Sequence, residues 1–337
     1  MKLLVRRDVI RGFFALIGAF WVVAAAPPER PLEVEPYFDG DAYDPRQFEW
    51  LKGSFDDATL EEKATFEIVD GWLDECWKAG RETAVAQFAE RGVTVSDPNR
   101  LVIGTIDCSL ISSRPKAGNY ADYDTMVAVL QQTKPIFDAL KTAAELASLL
   151  IANEGDDLAA QLEKRTVQEQ ILRNGFSWAW SDRPGFPEIT EQQKPIFTAL
   201  LSGETMRVDH ANTQWLKSVV EKHGWPTVST VGEEASRKAW LLVQHADQDP
   251  VFQFDVLQMM QPLMEDGEVS SRNYAYLYDR VMLKITGKQR YATQMWCHEG
   301  RMEPQTLEDA AAVAALREQV KLEPLDEYRK NFPETCG

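Results

Sequence analysis

Cysteine and histidine are both scarce, with 4 of each in 337 residues. Cations are also in deficit: 36 Lys and Arg face 53 Asp and Glu, a net charge of −17. Non-specific affinity for nucleic acid comes from Lys and Arg displacing counterions, so nucleic acid is excluded as a main partner. The 19 glycines and 17 prolines are too few for a collagenous or largely disordered chain. The HExxH, CxxC and H-x-E patterns are missing, and no metal is expected. The G-x-S-x-G elbow, the Walker loop and a strand-linked G-x-G-x-x-G are missing too, so the common hydrolase and nucleotide-binding routes fall away and no cofactor is assigned. Beyond residue 26 no apolar run is long enough to span a bilayer. What is present, 44% hydrophobic and 26% charged residues, is the composition of an ordinary globular protein with room for two domains.

The N-terminus carries the clearest address. Lys2, Arg6, Arg7 and Arg11 flank or precede an uncharged apolar run, Gly12 to Ala26, that ends in small residues. This reads as an export signal over residues 1–25, cut after Ala24 or Ala25, with the mature protein periplasmic or secreted. Val5-Arg6-Arg7-Asp8-Val9-Ile10-Arg11 resembles a twin-arginine motif, and the Sec and twin-arginine routes both stay open. Export gives the cysteines a meaning, since an oxidising compartment permits two disulfides with three possible connectivities. Pairing Cys76 with Cys108 and Cys297 with Cys336 closes each loop inside one proposed domain. The alternative keeps Cys76 as a core thiol, because it continues the helical series Phe66, Val69, Leu73.

The pattern predicts a mainly α fold. An acidic, proline-rich leader (26–57) precedes a helical N-terminal domain (58–155) and a helical C-terminal domain (156–333) with a short β-hairpin near 289–303. Thr59-Leu-Glu-Glu62 is a capping box opening a helix. Further helices are expected over 81–91, 124–132, 135–152, 157–173, 190–201, 207–222, 231–246, 250–265 and 270–285, and Leu101–Ile106 is the strand candidate of the first half. Pro135 fits the first turn of its helix, and the Gly155-Asp-Asp157 turn marks the domain boundary.

All four histidines fall in the second half. The same region holds His223-Gly-Trp225-Pro226, Gln244-His-Ala-Asp247, Tyr276-Leu-Tyr-Asp279-Arg280 and Gln289-Arg-Tyr291-Ala-Thr293-Gln294. In this order the motifs resemble a bacterial domain family of unknown function, number 6624 in its series, over about Asp157 to Phe332. Glu169-Gln170-Ile-Leu-Arg173 matches that family's acidic-Gln-x-x-Arg element, and Ala292 stands where the family usually has glycine. The resemblance implies a mostly helical domain and no known reaction. Two functions stand side by side. One is an exported binding or interaction module for an unidentified envelope component or small molecule. The other is a hydrolase or transferase with His245 as base, Asp279 as its orienting carboxylate and Arg280 as a substrate donor. His223, Trp225, Gln244, Asp247, Gln289, Tyr291, Thr293 and Gln294 are the candidate binding residues. The competing reading is a buried polar network in which these side chains satisfy one another.

Overall fold

Thr59 accepts from the Glu62 backbone N–H while the Glu62 carboxylate takes the Thr59 N–H at 2.8 Å, the expected capping box. The helix that follows, α1 (Leu60–Glu90), does not stop where a second helix was expected at Arg81 but runs on through Gly80. Gly80 sits mid-helix for a steric reason: a Cβ there would collide with the Ile103 carbonyl. The computed structural model describes residues 26–40, 42–151, 157–179 and 187–336. The expected export signal and the Gly155 turn lie outside them.

Ahead of α1 the leader forms a two-residue ladder, β1 (Phe38–Asp39) with β2 (Ala42–Tyr43), and buries Val34, Tyr37, Phe48, Trp50 and Leu51. Leu101–Thr105 is not a strand. The segment has no ladder partner and leads into α2 (Ile106–Ser112), capped by Thr105. α3 (Tyr123–Leu149) runs straight through Pro135, so that residue lies inside one helix rather than opening another. α4 (Leu158–Ala179) and α5 (Lys194–His223) follow. α5 joins two expected helices because the Ser202-Gly203 pair continues the turn, with Gly203 buried against Tyr43 and Ser113. α6 (Val228–Val231) is a single turn that was not expected, whereas α7 (Glu233–Gln244), α8 (Pro250–Leu263) and α9 (Ser271–Thr286) agree closely with expectation, α8 opening on an Asp249 cap followed by Pro250.

The hairpin is shifted from its expected place. Its strands are β3 (Met295–His298) and β4 (Arg301–Pro304), and residues 289–294 form a loop ahead of it. Two short helices, α10 (Val313–Gln319) and α11 (Leu325–Arg329), close the chain. The chain is thus mainly α with one short C-terminal hairpin. Cys76 pairs with Cys108 (Cα–Cα 6.3 Å) and Cys297 with Cys336 (Cα–Cα 5.8 Å). No helix among the described residues is long and apolar enough to cross a membrane.

Two apolar clusters hold the molecule, and each draws on both sides of residue 155. One gathers the leader aromatics with Val69, Leu73, Phe137, Leu172, Phe197 and Leu201. The other gathers Phe88, Leu101, Leu162, Leu216, Leu242, Leu257, Leu277 and Val281. α1, α4 and α5 each contribute one stretch to the first cluster and another to the second. The polar groups discussed next sit where those helices pass from one cluster to the other.

Candidate functional site

On α7 a stripe of small and apolar residues, Ala235, Ala239 and Leu242, packs inward, and Ala246 follows beyond the helix end. That packing sets the C-cap, His245, against α4. Its Nδ1 lies 2.5 Å from Oε1 of Glu169, a fully buried carboxylate. The contact is close without being aligned as a hydrogen bond, and the same oxygen also takes Arg173 Nε. Gln170 Nε2 donates to Oε2 at 2.9 Å. Burial pushes against the Glu169 charge, but His245, Arg173 and Gln170 outweigh it and hold this carboxyl below its ordinary range.

Arg173 also reaches α5, where its Nη2 donates to Asp209 Oδ2 at 2.6 Å. The other oxygen of Asp209 is buried and bonded to no described residue. Burial, reinforced by the neighbouring Glu169 and Asp247 charges, pushes the Asp209 carboxyl up to about 7 in spite of Arg173. One turn earlier on α5 the Thr205 hydroxyl is likewise unpartnered, in a residue only 5% exposed. Arg173, Thr205, Asp209, His210, Thr213, His245 and Asp247 line one pocket of about 470 Å³, walled on its far side by Gly104 to Ile106.

At the rim, Asp247 is gripped by Arg280 through two bonds of 2.9 and 2.6 Å and by Lys284 Nζ at 2.7 Å. Burial disfavours its charge, yet Lys284 and Arg280 hold the carboxyl far below the usual range. Lys284 is itself pushed down by burial, against the pull of Asp247. Gln253 joins the group: its Nε2 donates to the Val243 carbonyl at 2.9 Å and its Oε1 accepts from Lys284 at 2.9 Å. Arg280 is therefore an anchor for Asp247 in this structure.

Asp279 is not the partner of His245. It is fully buried on the opposite face of α9, where it accepts the backbone N–H groups of Arg290 (2.7 Å), Tyr291 (2.9 Å) and Thr293 (2.9 Å) and the Thr293 hydroxyl (2.9 Å). Burial raises this carboxyl, and those N–H bonds oppose the rise without cancelling it. Gln289 is equally buried and ties the same loop to the hairpin, donating to the carbonyls of Gln294 and Gln305 at 2.9 Å and accepting the Gln294 N–H. Gln294 turns its amide onto Thr293 Oγ1 at 3.1 Å. From the other side buried Arg317 donates to the Tyr291 and Ala292 carbonyls. Tyr291 and Thr293 are thus buried parts of this loop. Trp225 is core, His223 is exposed at the end of α5, and Gln244 is buried beside the pocket with its carbonyl accepting from Gln253 at 3.3 Å.

Apart from His223, Trp225 and Gln244, the candidate residues divide into two groups. His245 and Asp247, with Arg280 behind, meet at the pocket, while Asp279, Gln289, Tyr291, Thr293 and Gln294 form a closed network around a loop. Sequence reasoning missed Asp209, Thr205 and Lys284. Nothing marked them in advance except the i, i+4 step from Thr205 to Asp209 on one helix face and from Arg280 to Lys284 on another. Glu169 and Arg173 were visible as a motif but not as partners of His245. Among the described residues no group of three or more His, Cys, Asp or Glu side chains is arranged to hold a metal ion.

A helical scaffold with a buried charge network opening onto a pocket is the class this geometry defines. Residues 179–337 match the family model described as Family of unknown function (DUF6624). The match begins after Glu169 and Arg173 rather than at Asp157, so α4, which holds the partner of His245, lies almost wholly outside it. No curated protein and no solved structure matches the chain.

Proposed function

We propose that the pocket at His245 is an acid–base site for a small polar molecule, in an exported protein that hydrolyses its ligand or transfers a group from it. One observation carries the reading: Asp209, whose carboxyl burial pushes up to about 7, and His245, set against the buried Glu169, face the same pocket from α5 and from the end of α7. A general acid and a general base work best when their pKa values lie near the operating pH. Glu169 takes the Nδ1 side of the imidazole, which leaves Nε2 to accept a proton from water or a substrate hydroxyl. Asp209, part protonated near pH 7, returns a proton to the leaving group through its unpartnered oxygen, and Thr205 offers a hydroxyl one turn away. The Asp247–Arg280–Lys284 group supports the wall that carries His245. Export is supported by the basic and apolar N-terminal sequence, and the two disulfides are compatible with it.

The test is turnover of p-nitrophenyl acetate and bis-p-nitrophenyl phosphate by the full chain, beside His245→Gln and Asp209→Asn. Each variant is expected to lose about 10²- to 10⁴-fold in rate while keeping a sharp, native-like melting transition. Ligand-induced thermal shifts that depend on His245 without any turnover favour a binding module instead. A wild-type protein with neither turnover nor a shift sensitive to these variants overturns the site.

A further inference from the structure

A threonine buried in a helix can return its hydroxyl to its own backbone, as Thr133, Thr166 and Thr213 do, each donating to the carbonyl four residues earlier at 2.7 Å. On α5, Thr198 and Thr205 do not: each hydroxyl oxygen is buried and bonds to no described residue. Both turn into pockets instead. Thr205 lines the pocket at His245, and Thr198 lines a second pocket of about 590 Å³ nearer the start of the helix. Ser202 and Met206 line both, so the two pockets meet on one face of α5. Thr198, Ser202, Thr205 and Asp209 recur at steps of three or four residues and mark that face over about 16 Å. Asp209 brings its unpartnered oxygen to the His245 end.

The charges around both pockets are tied up in pairs. Arg173 holds Glu169 and Asp209, Asp247 is held by Arg280 and Lys284, Asp249 by Lys217, Asp70 by Arg114 and Glu191 by Lys194. Among the described Lys, Arg, Asp and Glu side chains of the two linings, only exposed Lys116 stands outside these pairs. The lining therefore presents little net charge with which to select an ion, and a neutral polar ligand suits it. A helical floor has its backbone groups bonded within the helix, so it gives an extended peptide no edge to pair with. What it offers is hydroxyl groups, each a donor and an acceptor at once, which a sugar hydroxyl answers in both senses. Ile106, Phe176, Met206, Pro115 and Pro195 add apolar surface against which the C–H faces of sugar rings can pack.

We propose that this face of α5 is the floor of a binding site for a neutral oligosaccharide, which lies along the helix from Thr198 to Asp209 and presents one end to His245. The inference rests on the acid–base reading of the His245 pocket and gives its substrate class. Thr198 and Thr205 are binding groups, each gaining in the complex the partner it lacks in the free protein. A buried hydroxyl without a partner destabilises the fold, so valine would serve better at either position if packing were its whole task. The two threonines stand about 10 Å apart along the helix axis. One sugar ring cannot reach both, whereas a short chain of them does.

Cellotetraose, maltotetraose and chitotetraose are titrated calorimetrically into the full chain, beside Thr198→Val, Thr205→Val and, as a control, Thr133→Val. At least one of these glycans is expected to bind at or below millimolar concentration. Thr198→Val and Thr205→Val are each expected to weaken that binding about three- to tenfold while the melting temperature stays level or rises, because only an unpartnered hydroxyl is removed. Thr133→Val, whose hydroxyl bonds inside α3, is expected to leave the affinity unchanged. No binding of any of the three glycans, or binding that ignores both α5 variants, overturns the proposal. Tighter binding of tetra-alanine or of tripolyphosphate, sensitive to the same variants, overturns it as well by assigning the face to a peptide or an anion. Ester turnover that needs His245, without glycan binding, overturns this inference and leaves the acid–base reading standing. Glycan binding that needs both hydroxyls, in a protein without turnover, overturns the acid–base reading and leaves the glycan site in place.

Discussion

Asp209 shows how much one side chain's surroundings decide. A carboxyl that burial lifts from 3.8 to about 7 makes its stabilising contribution at low pH, where both folded and unfolded chains hold the proton. That contribution is lost as pH rises through the folded value, because the buried group must then carry charge. Asparagine can still accept from Arg173 and never ionises. Asp209→Asn is therefore expected to gain on the order of 1–3 kcal/mol on the wild type between pH 5 and pH 8. Melting temperatures of the two proteins at both pH values check this, and a difference independent of pH would show that Asp209 is ionised throughout. The composition arithmetic had no access to this behaviour, since it depends on Glu169 and Asp247 approaching from other elements.

At the scale of elements, the loop between α9 and β3 is held by buried groups from both sides. Asp279 and Gln289 satisfy its N–H groups and Arg317 its carbonyls. The grip allows Ala292 to sit at φ 55°, a left-handed conformation in which a Cβ costs about 1 kcal/mol. Asp279→Ala strands three N–H groups, two of them buried, and is expected to cost about 3 kcal/mol in urea unfolding, without a separate loss of function at the His245 pocket. A stable Asp279→Ala protein that has lost the pocket's activity would reverse this assignment. Local chemistry was legible here: the Thr59 and Asp249 caps, the alanine stripe of α7 and the core face of α9 all follow from residues a few positions apart. The long helices α1, α3 and α5 were read as pairs because glycine and proline weigh against a helix locally, whereas Gly80 and Gly203 are fixed by contacts with Ile103 and Ser113. Pairing His245 with Asp279 failed for the same reason, as motif order carries no information on which faces of two helices meet.

For the molecule as a whole, the limits of family similarity and of folding differ. The matched segment 179–337 omits Phe88 and Leu162, which pack in the same cluster as Leu242 and Leu277, and it omits Glu169 and Arg173. Expressed alone, that segment is expected to show exposed apolar surface and a broad melt, measurable by dye binding and near-ultraviolet circular dichroism. A sharp, native-like transition from the fragment would establish it as a self-sufficient domain. The geometry of α1 carries a further consequence. Its 31 residues make a rod about 46 Å long, with Val69 and Leu73 seated in one apolar cluster and Ala84 and Phe88 in the other. Two halves threaded on one rod cannot come apart one at a time without fraying the rod itself, so they share a single cooperative fate. Amide exchange on either side of Gly80 should then report the same opening free energy, and the pocket beside His245 opens by local breathing or by global unfolding, with no half-open state between.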